Sequence, residues 1–313
     1  MGLPVLFLFA AITAGTNEYV VHGGDPDINR AGQLLNLSQP SQALELLRPA
    51  LERHPRDPGL LLLAGLAAYR SDQLRDALCY WKQSLDLAPN DVLSAMVEDA
   101  KREAAADHSN DKLLGIHIAL RYDATTLSDD MARSILTTLE NDYSRISGQL
   151  GCNSAERIIA IVQSREQYMR GTSAAEWSGG HFDGRIHIAW TGPGIDRALA
   201  HELVHACLMN IPSGSSSWPI WLQEGLAQKL SGDSLSPSDR EQLRQRALTQ
   251  GIPRLESLGQ NWFSMSQHDA VAAYNISLAA VDQIFDVFGI RKILANPETL
   301  PALTADLDAE LGR

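Results

Sequence analysis

Residues 197–209 read Arg-Ala-Leu-Ala-His-Glu-Leu-Val-His-Ala-Cys-Leu-Met, and residues 219–227 read Pro-Ile-Trp-Leu-Gln-Glu-Gly-Leu-Ala. Pro193-Gly194 breaks the chain ahead of the first run and Asp196 can cap it, so a helix is predicted from about Arg197 to Met209. His201 and His205 stand four apart. On a helix that spacing puts both imidazoles on one face, one turn apart, within reach of one ion. Glu202, beside the first histidine, projects toward the same side and can take a proton from a water activated there. Pro219 opens a second helix, expected over Ile220–Leu230, and Glu224 lies on it, separated from His205 by 18 intervening residues. A carboxylate from a second helix is the usual third ligand when the first supplies two histidines. Three protein ligands leave one coordination position open, which marks a catalytic rather than a structural zinc. Gly225, with no side chain, permits close helix packing beside the metal. The competing reading, an ordinary amphipathic helix with two surface histidines, leaves the second helix and Glu224 unexplained.

Upstream, the pattern is α/β. Gly115–Tyr122 alternates at period two, with Ile116, Ile118 and Leu120 on one face, and is predicted as a strand. Ser128 is a plausible N-cap for a long helix to Leu150, whose apolar positions Met131, Ile135, Leu136, Leu139, Tyr143, Ile146 and Leu150 have helical spacing. Arg157–Val162 is a second, more buried strand. Phe182-Asp183-Gly184-Arg185 holds a hairpin signal before the alternating Ile186, Ile188 and Trp190. His181 and His187 flank that turn. They could touch substrate or a second metal, but solvated strand positions are the commoner case. His117 falls on the polar face of the first strand and reads as structural. Cys207, two positions past His205, is off the metal face and reads as a small buried residue rather than a ligand. No phosphate-binding glycine loop or nucleophile elbow is present.

With these residues in hand a resemblance can be stated. The stretch from about Leu114 to Asp233 resembles the gluzincin group of metallopeptidases, and more narrowly the peptidase MA-like domain, often found beside helical repeats in bacterial exported proteins. H-E-x-x-H paired with W-x-x-E-G-x-A, and the 18-residue spacing between them, carry it. The segment W-S-G-G-H-F-D-G-R-I-H-I, residues 177–188, is similar to the family's strand along the active-site edge. The resemblance implies that the strand at about Arg185–Trp190 pairs with the substrate backbone by strand addition. Residues 272–289, A-A-Y-N-I-S-L-A-A-V-D-Q-I-F-D-V-F-G, resemble the family's downstream helix. That implies Tyr274 as donor to a developing oxyanion. Read from spacing alone, Tyr274 is equally a core aromatic in line with Ile276, Leu278 and Val281. Thr299–Gly312 is a final amphipathic helix. No amine-binding motif can be read, so endopeptidase and aminopeptidase action stay open.

Ahead of this lies a repeat. Ala43 and Ala77, Leu47 and Trp81, Ala50 and Ser84, Leu51 and Leu85, and Pro55 and Pro89 all share an offset of 34. That period, with small, large and proline positions in the second helix, resembles the tetratricopeptide repeat. Leu61, Ala64, Gly65 and Ala68 fit its first helix. The first unit departs from the pattern, with Leu34 and Leu35 near the usual glycine. Asp91–Ala106 would close the array with a polar outer face. Such a module either binds a protein partner on a concave surface or braces the next domain.

Composition bounds the rest. The chain has 313 residues and a net charge of −12, with 44% hydrophobic and 20% charged residues. Ordinary globular composition excludes wholesale disorder, and the acidic balance argues against a nucleic-acid partner. Leu3–Ile12 is an apolar run too short to span a bilayer and fits a secretory signal over residues 1–15, placing the mature protein in a periplasmic or secreted setting with no integral membrane segment. One pair among Cys79, Cys152 and Cys207 could bridge, and the sequence does not say which. The expected organisation is α+β: repeats over 28–107, a zincin-like domain over 113–235 (a small mixed sheet plus active-site helices), and its C-terminal helices over 236–313. The expected activity is a zinc-dependent metallopeptidase acting on peptide or protein, with Glu202 and Tyr274 catalytic and His201, His205 and Glu224 holding Zn²⁺. The alternative from another class is a repeat-based adaptor or envelope assembly factor whose metallopeptidase-like domain only binds.

Overall fold

The computed structural model describes residues 27–109, 111–172, 174, 176, 178–211, 218–249, 251–258, 266–290, 293 and 299–311. The signal read at residues 1–15 lies outside them. Among the described residues there are twelve α-helices and one five-stranded mixed sheet, an α+β composition. The chain divides into two compact units. The first runs to Glu140 and resumes over Asn153–Ile195; the second comprises Asn141–Cys152 and everything from Asp196 onward. The helices over 27–106 and the sheet fall in the first of these units.

The first unit opens with α1 (Asp27–Asn36), α2 (Pro40–Arg53), α3 (Pro58–Arg70), α4 (Leu74–Leu87) and α5 (Asp91–Ala106), each packed on its neighbour in sequence. Helices α2 and α4 have 14 residues each and start at positions 34 apart, Pro40 and Leu74. Their buried sets correspond: Ala43 with Ala77, Leu47 with Trp81, Ala50 with Ser84. The Trp81 indole lies where a side chain on Gly65 would stand, and its Nε1 donates to the Leu62 carbonyl at 3.1 Å. Any residue but glycine at 65 would displace it. Capping sets the helix starts. The Asp57 carboxylate accepts from Gly59 and Leu60 N–H, and the Asn90 side chain accepts from Leu93 N–H. Gln39, before α2, offers no such cap. Glu156 supplies it from 115 residues away, accepting from Ser41 N–H at 3.0 Å and Gln42 N–H at 3.2 Å.

The sheet follows: β1 (Asp111–Leu114), β2 (Ile118–Tyr122), then α6 (Asp129–Leu150), β3 (Ile158–Ser164), α7 (Arg165–Gly171), β4 (Gly180–Phe182) and β5 (Ile186–Trp190). Strand order is β1-β2-β3-β5-β4. β2, β3 and β5 run parallel, with Ile118 opposite Ile158 and Ala160 opposite Ile186, while β1 and β4 are antiparallel edges. The parallel strands are buried along nearly their whole length, as parallel strands usually are.

Three expectations are corrected here. The first strand does not run unbroken over Gly115–Tyr122: the chain bends at residues 115–117, and Ile116 is 79% exposed instead of facing the core. Glu140 on α6 causes the bend, accepting from the N–H groups of His117 at 2.9 Å and Ile118 at 3.0 Å and lying 2.8 Å from His117 Nδ1. His117 is therefore structural, but in a bend. The strand at Ile186–Trp190 is interior, bonded to β3 and β4, so it has no free edge for strand addition. His187 is buried rather than solvated, at 1% exposure.

A buried ionic cluster fastens the helices to the sheet within this unit. The Tyr69 hydroxyl on α3 lies 2.5 Å from Asp183 Oδ2 and 3.0 Å from Glu103 Oε2 on α5. Arg185, fully buried, donates from Nη2 to Glu103 at 2.6 Å, and its guanidinium carbon sits 3.8 Å from the Tyr69 ring centroid. Arg121 on β2 donates to Asp72 and Asp107 at 2.7 and 2.6 Å. Burial would raise the Asp183 carboxyl, but His187 and Arg185 outweigh it and hold the carboxyl well below the usual range. Burial likewise opposes the His187 imidazolium, yet Asp183 and Glu103 keep it above its ordinary value. Arg185 and Glu103 pair across the helix–sheet boundary, while Asp183 and His187 pair on the sheet side of it.

The second unit contains the last part of α6 and α8 (Asp196–Met209), α9 (Ile220–Leu230), α10 (Pro237–Thr249), a 3₁₀ turn at Leu255–Leu258, α11 (Gln267–Gln283), a π-helical turn at Ile284–Phe288, and α12 (Leu300–Leu311). α9 packs on both α8 and α11. Gly289 ends the π-helical turn at φ 74°, a left-handed conformation that favours glycine.

Candidate metal centre

Helix α8 is buried on most sides: Leu199, Ala200, Glu202, Leu203, Val204, Ala206, Cys207 and Leu208 are all enclosed. The two histidines face the remaining side. α9 begins where Pro219 stands, and Gln223 Nε2 donates to the Trp218 carbonyl at 2.7 Å, fixing its entry. These two helices bring His201, His205 and Glu224 together. His201 Nε2 lies 3.2 Å from Glu224 Oε2 and 3.3 Å from His205 Nε2, and His205 Nε2 lies 3.5 Å from Glu224 Oε1. Among the described residues this is the group that can hold a metal ion. Side-chain exposures of 19, 10 and 17% leave the three donors within reach of solvent. Burial would raise the Glu224 carboxyl, but the two imidazoles hold it far below the carboxylate range, so it stays an anionic donor.

Glu202 is 8% exposed and does not belong to the donor group. Tyr274 on α11 is half-buried, its ring centroid 6.3 Å from that of His201 at an interplanar angle of 65°. The helix face therefore brings the tyrosine to the histidines, a placement that spacing alone left open. His181 and His187 pair across β4 and β5 and are not part of the donor group.

The close packing expected at Gly225 is present. A Cβ there would stand 2.6 Å from the Ser277 carbonyl oxygen and 2.6 Å from Val281 Cγ2, both on α11. One of those contacts is backbone, so it cannot rotate away. Gly225→Ala is expected to lower stability by about 1–3 kcal/mol through overpacking, read as a reduced urea midpoint; an unchanged midpoint would mean α11 moves aside freely.

Arg145 and Lys229, which carry no sequence signal, and a disulfide whose partners the sequence leaves open hold the helices in place. Arg145, near the end of α6, donates to the Leu230 carbonyl at the close of α9 at 2.7 Å. Lys229 on α9 bonds Asp282 on α11 at 2.6 Å. Cys207 is joined to Cys152 by a disulfide, Cα–Cα 5.5 Å, which leaves Cys79 as the free thiol. No local spacing marks any of these, since each links elements distant in sequence. Comparisons with family models, curated proteins and solved structures find no match for this chain.

Proposed function

We propose that this chain is a zinc-dependent metallopeptidase of the gluzincin type. The observation that carries the reading is the donor triangle. Zinc–nitrogen and zinc–oxygen bonds of about 2.0–2.2 Å in a tetrahedron require ligand atoms about 3.3–3.6 Å apart. The two imidazole nitrogens stand 3.3 Å apart, and each has a different oxygen of the Glu224 carboxylate beside it, at 3.2 Å for His201 and 3.5 Å for His205, so both nitrogens and the carboxylate lie on the scale of a zinc coordination shell. Two nitrogens and one carboxylate oxygen are also the donor chemistry of catalytic zinc.

A bound zinc would supply Lewis acidity and a water of lowered pKa. The chain's own residues do the rest. Glu202, next to His201 but outside the donor set, accepts the proton of the attacking water and passes it to the leaving amine. Tyr274 donates its hydroxyl to the oxygen that becomes negative as the carbonyl is attacked. Partial exposure of the three ligands leaves an approach for a peptide.

The helical repeats act as a brace. Tyr69 and Arg70, at the end of α3, are buried, and Tyr69 is committed to Glu103 and Asp183. Glu156 caps α2 from the sheet side. The adaptor reading loses ground for the same reason, and because the general base is present at Glu202. A disulfide favours an oxidising, exported setting. No described helix is long and apolar enough to cross a membrane.

Elemental analysis and peptide-library cleavage test this together. The purified protein is expected to carry a single zinc and to cleave peptides, with activity lost to a chelator and restored by added zinc. Absence of bound zinc after incubation with excess zinc would sink the metal assignment, and zinc without cleavage would favour the binding module.

A further inference from the structure

We propose that the Cys152–Cys207 disulfide is a positioning link for the metal centre, so that His201, His205 and Glu224 reach full zinc affinity only after this bond has formed. The inference rests on the zinc reading above. Cys207 lies on α8 two residues beyond His205 and is fully buried, and Cys152 is 6% exposed just past the end of α6. The bond thus pins the histidine helix, about half a turn beyond its second ligand, to the chain two residues past the end of α6. Arg145, near the end of α6, also bonds the glutamate helix, donating to the Leu230 carbonyl at 2.7 Å. Both ligand-bearing helices therefore hang on one strut, α8 by a covalent bond and α9 by a hydrogen bond. The strut sets how far the two imidazoles stand from the Glu224 carboxylate. Metal sites accept ligand displacements of only about 0.2 Å, and groups that orient ligands without touching the ion typically contribute about 10–100-fold in affinity. A covalent link this near His205 belongs among such groups.

The chemistry of release is a two-electron reduction. A phosphine attacks one sulfur and the S–S bond breaks. Water supplies the oxygen of the phosphine oxide and the two protons that leave both sulfurs as thiols. Burial of both sulfurs protects the bond once the protein has folded, so it acts during maturation: the chain matures into a tight metal site where thiols are oxidised and a weak one where they are not.

The test compares the intact protein with Cys152→Ala/Cys207→Ala, and with Leu307→Ala, a core change on α12 away from the strut and 1% exposed in the parent. Zinc affinity is read by competition with a chromophoric chelator, and ligand geometry by the visible bands of the cobalt-substituted protein. The double variant is expected to bind zinc about 10–100-fold more weakly with altered cobalt bands, while Leu307→Ala keeps the parent affinity and bands. Unchanged affinity in the double variant, or an equal loss in Leu307→Ala, overturns the proposal. Should the double variant not fold, the intact protein is titrated with a water-soluble phosphine in sub-denaturing urea, which exposes the buried sulfurs transiently, while thiols and zinc release are followed. Zinc leaving in step with the change from one titratable thiol to three supports the link; three thiols with zinc retained overturns it. An intact protein with one thiol that takes up no zinc would instead fail the metal reading itself, a result distinct from failure of the link.

Discussion

Glu202→Gln is expected to leave the zinc content of the protein unchanged while lowering kcat/KM for peptide cleavage by about 10²–10⁴-fold, the usual contribution of a positioned general base. The geometry separates the two roles. His201, His205 and Glu224 form the donor group, and Glu202 stands beside His201 on α8 without belonging to it. Glutamine keeps the size and shape of glutamate, so the buried helix face is preserved, but its amide cannot take a proton. Because Glu202 is only 8% exposed, the thermal midpoint is followed beside turnover, so that loss of the base is told apart from loss of the fold. Zinc by elemental analysis, kcat and KM on a peptide from the library, and the thermal midpoint are the three readouts. Wild-type turnover in the variant would remove Glu202 from the mechanism. Loss of zinc together with turnover would instead make it part of the ligand set. The control in the opposite sense is Glu224→Gln, which replaces an anionic donor by a neutral one and should lower zinc content first.

How much of this was legible in the sequence follows the range of the interactions. The helices that carry His201, His205 and Glu224 are legible almost to the residue, because these residues and the run around Glu224 carry their information at helical spacing. The repeat was legible for a similar reason: Leu47 and Trp81 occupy equivalent buried positions 34 apart, and a period is visible without knowing what packs against it. The long helix α6 announced itself by seven apolar positions in register. What failed depended on partners distant in the chain. The alternation from Gly115 to Tyr122 fits a strand by pattern, but Glu140 takes two backbone N–H groups and turns the chain there. The strand at Ile186–Trp190 is expected from the resemblance to form the active-site edge, and it is interior because β4, only three residues long, covers it. Cys152 and Cys207, 55 residues apart, pair because two helices meet, and nothing beside either cysteine says so. Asp183 read as a turn residue and Arg185 as a strand flank. A charged residue opening an otherwise apolar strand was the available signal, and its meaning appears only once Glu103 and Tyr69 are brought to it.

That cluster gives the largest expected effect on stability. Arg185→Met is expected to destabilise the protein by about 3–5 kcal/mol, the typical result of removing one partner from a buried ion pair. The side chain is wholly enclosed, so solvent screening does not soften the loss. Its Nε and Nη1 have no hydrogen-bond partner among the described residues, and Nη1 stands 3.7 Å from Asp72. The cation is therefore held mainly by the 2.6 Å bond to Glu103 and by the Tyr69 ring face. Methionine retains much of the apolar stem but leaves Glu103 as an anion without its closest cation. Glu103→Gln in the same background should recover part of the loss, because the uncompensated charge disappears with it. The two single changes and the double form a cycle readable in urea, with a coupling of about 0.5–3 kcal/mol between neighbours in one network. The location makes the result informative about function. Arg185 belongs to the sheet and Glu103 to the closing helix of the repeats, so a helical module that merely presented a binding groove would tolerate the change with a small, local effect. A loss near the upper figure with a single sharp transition means the helices and the sheet unfold together, as a brace requires. A loss below about 1 kcal/mol would place the pair among weakly coupled ion pairs and reopen the repeats as an independent docking module.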